Sequence, residues 1–200
     1  MLNLQACATV DLNVLDELQA VDDDAKKAEW SRQTNSVKAF KKAVMDHGMA
    51  EQDSKCVWCE SKLGLEARRS AHRDHIAPKE HYRKWTFLPA NIAVACEACN
   101  GFTVKSDLDT IAVEAPNYEE CDFRVVHPYL DNPVEHIEFV QEEKKVVMVG
   151  LSVKGCWTIK NLQLDGTAAT ARRAFDRILE DNGLSNDQRE LINQAMASLL

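Results

Sequence analysis

The sequence predicts a mixed α+β fold, with helices at both ends and an irregular, cysteine-rich centre. Apolar residues recur at helical spacing near the N-terminus and again beyond residue 167. Two Cys-x-x-Cys pairs bracket a middle stretch with no helical period. Short β-branched runs bounded by turn residues follow it. A chain of 200 residues suits one domain with extensions. The expected segments are a helical region over 1–53, a cysteine-rich unit over 54–110 and a strand/helix extension over 111–200.

The elements follow in chain order. Leu12, Leu15 and Leu18 make one helical stripe, and Asp11 can cap it. Residues 24–47 form a second helical region, broken near Ser31–Asn35. Val37, Phe40, Val44 and Met45 line one face, and Gly48 is a natural stop. Residues 54–106 read as short strands and turns, and residues 107–134, with Pro116, Pro128 and Pro133, mainly as loop. Phe139–Val140 and Lys145–Leu151 have strand character around a turn at Glu142–Glu143, and Trp157–Ile159 reads as a third short strand. Helices are expected over Thr167–Asp181 and Leu184–Leu200, the second opened by the capping box Ser185-Asn186-Asp187-Gln188.

The net charge of -8 argues against a simple nucleic-acid binder. Its distribution qualifies that. Residues 1–55 sum to -3, residues 56–105 to +3 and residues 106–200 to -8. The basic segment also holds four of the seven cysteines. An acidic chain with one basic patch holds a phosphate backbone weakly and needs a partner's help. No apolar run approaches the roughly 18 residues of a membrane span. The N-terminus lacks a basic region followed by an apolar core, so a cytoplasmic protein is expected.

Without export, an odd cysteine count makes a disulfide framework improbable. Cys7, Cys121 and Cys156 read as small buried hydrophobes. Cys56/Cys59 and Cys96/Cys99 are separated by 36 residues and read as a four-thiolate site. Each two-residue gap lets one turn aim two sulfurs at one ion, and Zn²⁺ takes four such ligands tetrahedrally. An iron–sulfur cluster and a redox pair are the alternatives. Between the pairs stand Arg73-Asp74-His75-Ile76-Ala77-Pro78-Lys79 and Asn91, and Asn100 follows Cys99. On a strand, Asp74 and His75 point to opposite faces.

Together these residues resemble the HNH endonucleases, in the form stapled by two zinc knuckles. The resembling stretches are Cys56–Glu60, Arg73–Lys79, Asn91–Gly101 and Lys105. The resemblance implies a ββα-metal finger holding one catalytic Mg²⁺ or Mn²⁺. It implies His75 as general base, Asp74 and Asn100 as ligands of that ion, Asn91 as the residue that orients the imidazole, and the four cysteines as structural zinc ligands. His75 should end the first hairpin strand, Asn91 should lie in the loop or hairpin, and Asn100 should sit at or near the start of the finger's helix. Neutral imidazole near pH 7 can deprotonate water, and a hard cation on oxygen ligands stabilises the charge that develops at phosphorus. Arg68, Arg69, Arg73, Lys79, Arg83 and Lys84 are candidate phosphate contacts. Lys105 is a further one, although Thr103 stands where the family often has lysine. His72 and His81 flank the motif as candidate auxiliary ligands or substrate contacts, with surface or structural roles as the default.

The stretches His127–Phe139 and Thr158–Leu164 resemble elements of the PtuB-like subfamily. That likeness implies a bacterial anti-phage effector, of Septu or retron type. Its expected partners are DNA, a PtuA-like AAA/ABC-type ATPase and, in retron systems, a reverse transcriptase with its RNA/DNA. A non-catalytic zinc-ribbon module and a free-standing homing or restriction enzyme are the competing readings.

Overall fold

The computed structural model describes residues 1–64, 69–180 and 184–197. Helix α1 (Leu12–Gln19) starts where Asp11 Oδ1 accepts from Asn13 N at 2.9 Å and Val14 N at 3.4 Å. Helices α2 (Asp23–Trp30) and α3 (Asn35–Glu51) follow, capped by Asp22 and Thr34. Val37, Phe40 and Val44 of α3 are buried, as their spacing predicts.

Gly48 does not stop α3, which continues to Glu51. It marks a close approach instead. A Cβ there would lie 2.4 Å from Val94 Cγ2, so only glycine lets the helix lie this near the central hairpin.

That hairpin is β1 (Ala71–His75) and β2 (Ile92–Cys96), paired antiparallel from Ala71↔Cys96 to His75↔Ile92. Gln52, fully buried, covers part of the other edge of β2. Its Nε2 donates to Val94 O at 2.7 Å, and its Oε1 accepts from Val94 N at 2.8 Å. Beside it Val57 N donates to Val94 O at 3.0 Å. One turn of helix, α4 (Glu97–Asn100), follows β2.

Two more short antiparallel pairs come next: β3 (Ile111–Val113) with β4 (Asp122–Phe123), and β5 (Ile137–Phe139) with β6 (Met148–Gly150). The first lies in the stretch expected to be loop. Helices α5 (Val153–Asn161), α6 (Thr167–Glu180) and α7 (Asn186–Ala197) complete the chain. Trp157–Ile159 is therefore helix and not strand. Ser152 Oγ accepts from Gly155 N at 3.0 Å and opens α5, which packs on β6. The Ser185 box forms as read, with Gln188 N donating to Ser185 Oγ at 3.2 Å and Ser185 N to Gln188 Oε1 at 2.8 Å. Asp181 and the last three residues of the helix expected over Leu184–Leu200 lie outside the described residues.

One buried core joins Leu4, Trp58, Ile76, Val94, Phe123, Val126, Met148 and Leu164, so it draws on all three expected segments. A second core, under the N-terminal helices, contains Leu18, Val37, Phe40, Phe87 and Ile92. Among the described residues, no helix is long and apolar enough to cross a membrane.

Candidate functional site

The sulfur site is built from two turns. Cys56–Cys59 lies in a tight loop closed by Glu60 N to Cys56 O at 2.9 Å and Cys56 N to Ser61 O at 2.9 Å. Cys96 ends β2, and Cys99 lies in α4. The four sulfurs lie within 4.8 Å of one another, and all four residues are buried. Cys59 Sγ and Cys96 Sγ are 3.9 Å apart. A ZnS₄ tetrahedron with Zn–S of about 2.3 Å has edges of about 3.8 Å, so this spacing fits the ion and is too long for a disulfide. Cys99 N donates to Cys96 Sγ at 3.4 Å. Burial pushes the Cys56 thiol up, whereas hydrogen bonds from Cys56, Cys96 and Cys99 push that of Cys59 down, and a bound cation favours the thiolate form throughout. Four thiolates on Zn²⁺ carry two net negative charges. Arg173, almost fully buried, faces that charge; burial lowers its pKa, and Cys59 and Cys99 oppose the shift. The four cysteines can hold zinc. Of the remaining three, Cys121 is buried as expected, whereas Cys7 and Cys156 are exposed.

Along β1 and beside α4 lies a cavity of about 590 Å³. Its walls include Arg73, Asp74, His75, Lys79, Asn100 and Phe102. His75 closes β1, as expected. Its Nε2 lies 3.1 Å from Thr86 O and donates to it, since a carbonyl only accepts. That leaves Nδ1 as the lone-pair nitrogen. Burial, then the charges of Lys79, Lys105 and Lys41, hold His75 well below the usual imidazole range, against the opposing hydrogen bond to Thr86. The ring of Trp30 packs edge-on at 4.5 Å and fixes its tilt.

Asp74 points the other way, as strand alternation requires. It is 1% exposed; its Oδ2 accepts from Trp58 Nε1 at 2.6 Å and its Oδ1 from Lys105 Nζ at 2.8 Å. Trp58 stands inside the first cysteine turn, so a single hydrogen bond joins the sulfur site to this carboxylate. Lys105 also donates to His75 O at 2.5 Å.

Asn91, wholly buried in the loop before β2, uses its whole amide. Oδ1 accepts from Ala77 N at 2.7 Å and Tyr118 OH at 2.9 Å. Nδ2 donates to Ala77 O at 3.0 Å and Trp85 O at 3.1 Å. It thus grips the backbone on both sides of the His75–Thr86 contact. Asn100 lines the cavity but ends α4 instead of opening it.

The basic residues divide. Lys79 and Arg73 face the cavity. Burial first, then repulsion from Lys105 and Lys27, lowers the Lys79 pKa against the pull of Asp74; burial lowers that of Arg73. Arg69 is not a free contact, because it is buried in an ion pair with Asp176 at 2.9 Å. Lys105 is likewise committed to Asp74 and is 1% exposed. Arg83 and Lys84 pair with Asp24 and Glu114 at 2.8 and 2.7 Å and do not line this cavity. Arg68 lies outside the described residues. His72 and His81 are exposed, bonded to Ser70 and to Asp107 O.

The roles of Trp30, Trp58, Thr86 and Tyr118 were not read from the sequence. Each is an ordinary residue type far from the motif, and only the fold brings it to Asp74, His75 or Asn91. No protein-family model matches the chain, and no curated protein matches it.

Proposed function

We propose that the chain is a metal-dependent HNH endonuclease that hydrolyses phosphodiester bonds in DNA, with β1, β2 and α4 as its ββα finger. The observation that carries this reading is His75. It is a buried, neutral imidazole whose Nε2–H is held by Thr86 O and whose Nδ1 is left to act as base. Asp74 and Asn100 both line the cavity, and side-chain oxygens are the hard donor type that suits Mg²⁺ or Mn²⁺. Each Asp74 oxygen keeps a second lone pair beyond its bond to Trp58 or Lys105. When bound, the ion would stabilise the charge developing on phosphate. His75 takes the water's proton, Asn91 holds the loops around it, and Lys79 and Arg73 meet the phosphate backbone.

Within that reading, the likeness of His127–Phe139 to the PtuB-like proteins supports an effector that works beside a PtuA-like ATPase. The charge of -8 supports it too, since the partner would supply DNA affinity. One observation favours a second reading, a non-catalytic zinc-ribbon module: both Asp74 oxygens already have protein donors.

The test is cleavage of plasmid, single-stranded DNA and tRNA with added Mg²⁺ or Mn²⁺, with and without the ATPase. Nicking of plasmid DNA that EDTA abolishes supports the proposal. Cleavage of RNA alone would move the substrate. Zinc-loaded protein that binds nucleic acid but cuts none of the three in any lane would favour the binding module.

A further inference from the structure

The chain of hydrogen bonds at Asn91 does not end there. Tyr118 OH, which donates to Asn91 Oδ1, lies 2.8 Å from His127 Nε2. His127 Nδ1 accepts from Tyr129 N and Leu130 N, each at 3.2 Å. Asn91, Tyr118 and His127 are at most 3% exposed, so water cannot substitute for any link.

Every proton in this chain has one allowed place. Two backbone N–H groups make Nδ1 of His127 an acceptor, so its Nε2 carries the hydrogen and donates to the Tyr118 oxygen. The phenol hydrogen then goes to Asn91 Oδ1. The Asn91 amide cannot flip, and its NH₂ must face Ala77 O and Trp85 O. The next carbonyl after Trp85 belongs to Thr86, the group that sets the His75 tautomer. Asp131 anchors the far end, accepting from His127 N at 2.7 Å and pairing with Lys154 at 3.0 Å.

We infer that Tyr118 and His127 are positioning residues for His75, acting through the amide of Asn91. This rests on reading His75 as the base. It gives the C-terminal extension a task in the site: His127 and Tyr118 join Ala77 N in fixing the Asn91 amide, which holds the Trp85–Thr86 backbone beside His75.

Tyr118→Phe tests it, since the ring's contacts with Trp85 and Phe123 stay. Single-turnover cleavage should fall by about tenfold or more, with zinc content and DNA affinity unchanged. Long-range ¹H–¹⁵N spectra of the imidazoles should show His75 as a single Nε2–H tautomer in wild type and as a mixture in the variant. His127→Leu should behave like Tyr118→Phe, and His127→Gln, which still offers an N–H to Tyr118, should recover most of the rate. Wild-type turnover and an unchanged His75 signal in Tyr118→Phe would overturn the inference. So would equal losses in His127→Gln and His127→Leu, which mark packing alone. If wild type cleaves nothing, the nuclease reading fails, and the tautomer comparison still decides the relay.

Discussion

The β1–β2 ladder carries a different site at each end. Where Ala71 faces Cys96, four sulfurs converge from two local turns. Where His75 faces Ile92, a single imidazole is held by Trp30 and Thr86, Lys105 binds its backbone oxygen, and Asn91 grips the neighbouring backbone. The sulfur site joins two local turns 37 residues apart, and with zinc bound its energy would be that of ligand bonds. The histidine site is long-range and depends on every contributing segment being folded. With zinc bound, the first would be a staple that makes the hairpin, and the second uses the hairpin once made.

The sharpest way to break that contrast is to remove the staple. Cys96→Ser, or zinc removal by a chelator, should unfold the centre of the molecule. Structural zinc contributes on the order of 10 kcal/mol, comparable with the whole stability of a domain. Circular dichroism and metal analysis should show both losses together. A folded, zinc-free Cys96→Ser protein would mean the core alone supports the hairpin.

A smaller effect probes the bridge between the two ends. Lys105→Met strands the buried Asp74 carboxylate and should cost about 3–5 kcal/mol in denaturant unfolding, with zinc retained. A loss below about 1 kcal/mol would show that Asp74 is reached by water or a metal cation instead.

Gly48→Ala tests how closely α3 supports β2. The new methyl would meet Val94 Cγ2 at 2.4 Å, and overpacking of this kind costs about 1–3 kcal/mol. A neutral result would mean that α3 can shift.

The smallest effect comes from pH. Burial, reinforced by the charge of Lys154, pushes His127 from an ordinary value of 6.5 down to about 3. Its folded pKa lies below its unfolded one, so the unfolded chain takes the extra proton. The contribution is complete above pH 6.5 and is lost as pH falls toward 3, by about 1.4 kcal/mol per unit. His75 acts in the same direction. Denaturant titrations between pH 7 and 5 should show stability rising with pH, and His127→Gln should flatten that slope.

The same contrast explains what the sequence made legible. Cys-x-x-Cys spacing makes each half of the sulfur site legible, because each turn is local, although the two halves lie 37 residues apart. The strand end at His75, the loop position of Asn91 and the caps at Asp11 and Ser185 were legible for the same reason. Arg69 and Lys105 were misread as phosphate contacts because nothing local reveals that Asp176 and Asp74 wait across the fold. Gly48 looked like a stop because its reason, Val94, lies 46 residues on. Trp157–Ile159 looked like a strand because burial against β6, and not local propensity, decides that segment.

The most direct test of the account is the cleavage rate of His75→Ala beside wild type, with zinc content and thermal melting measured on the same samples. The account predicts a folded variant with one zinc per chain and no metal-dependent cleavage of DNA that wild type cuts. Cleavage by the folded variant at the wild-type rate would contradict it, and the basic groups of the cavity would then serve binding alone.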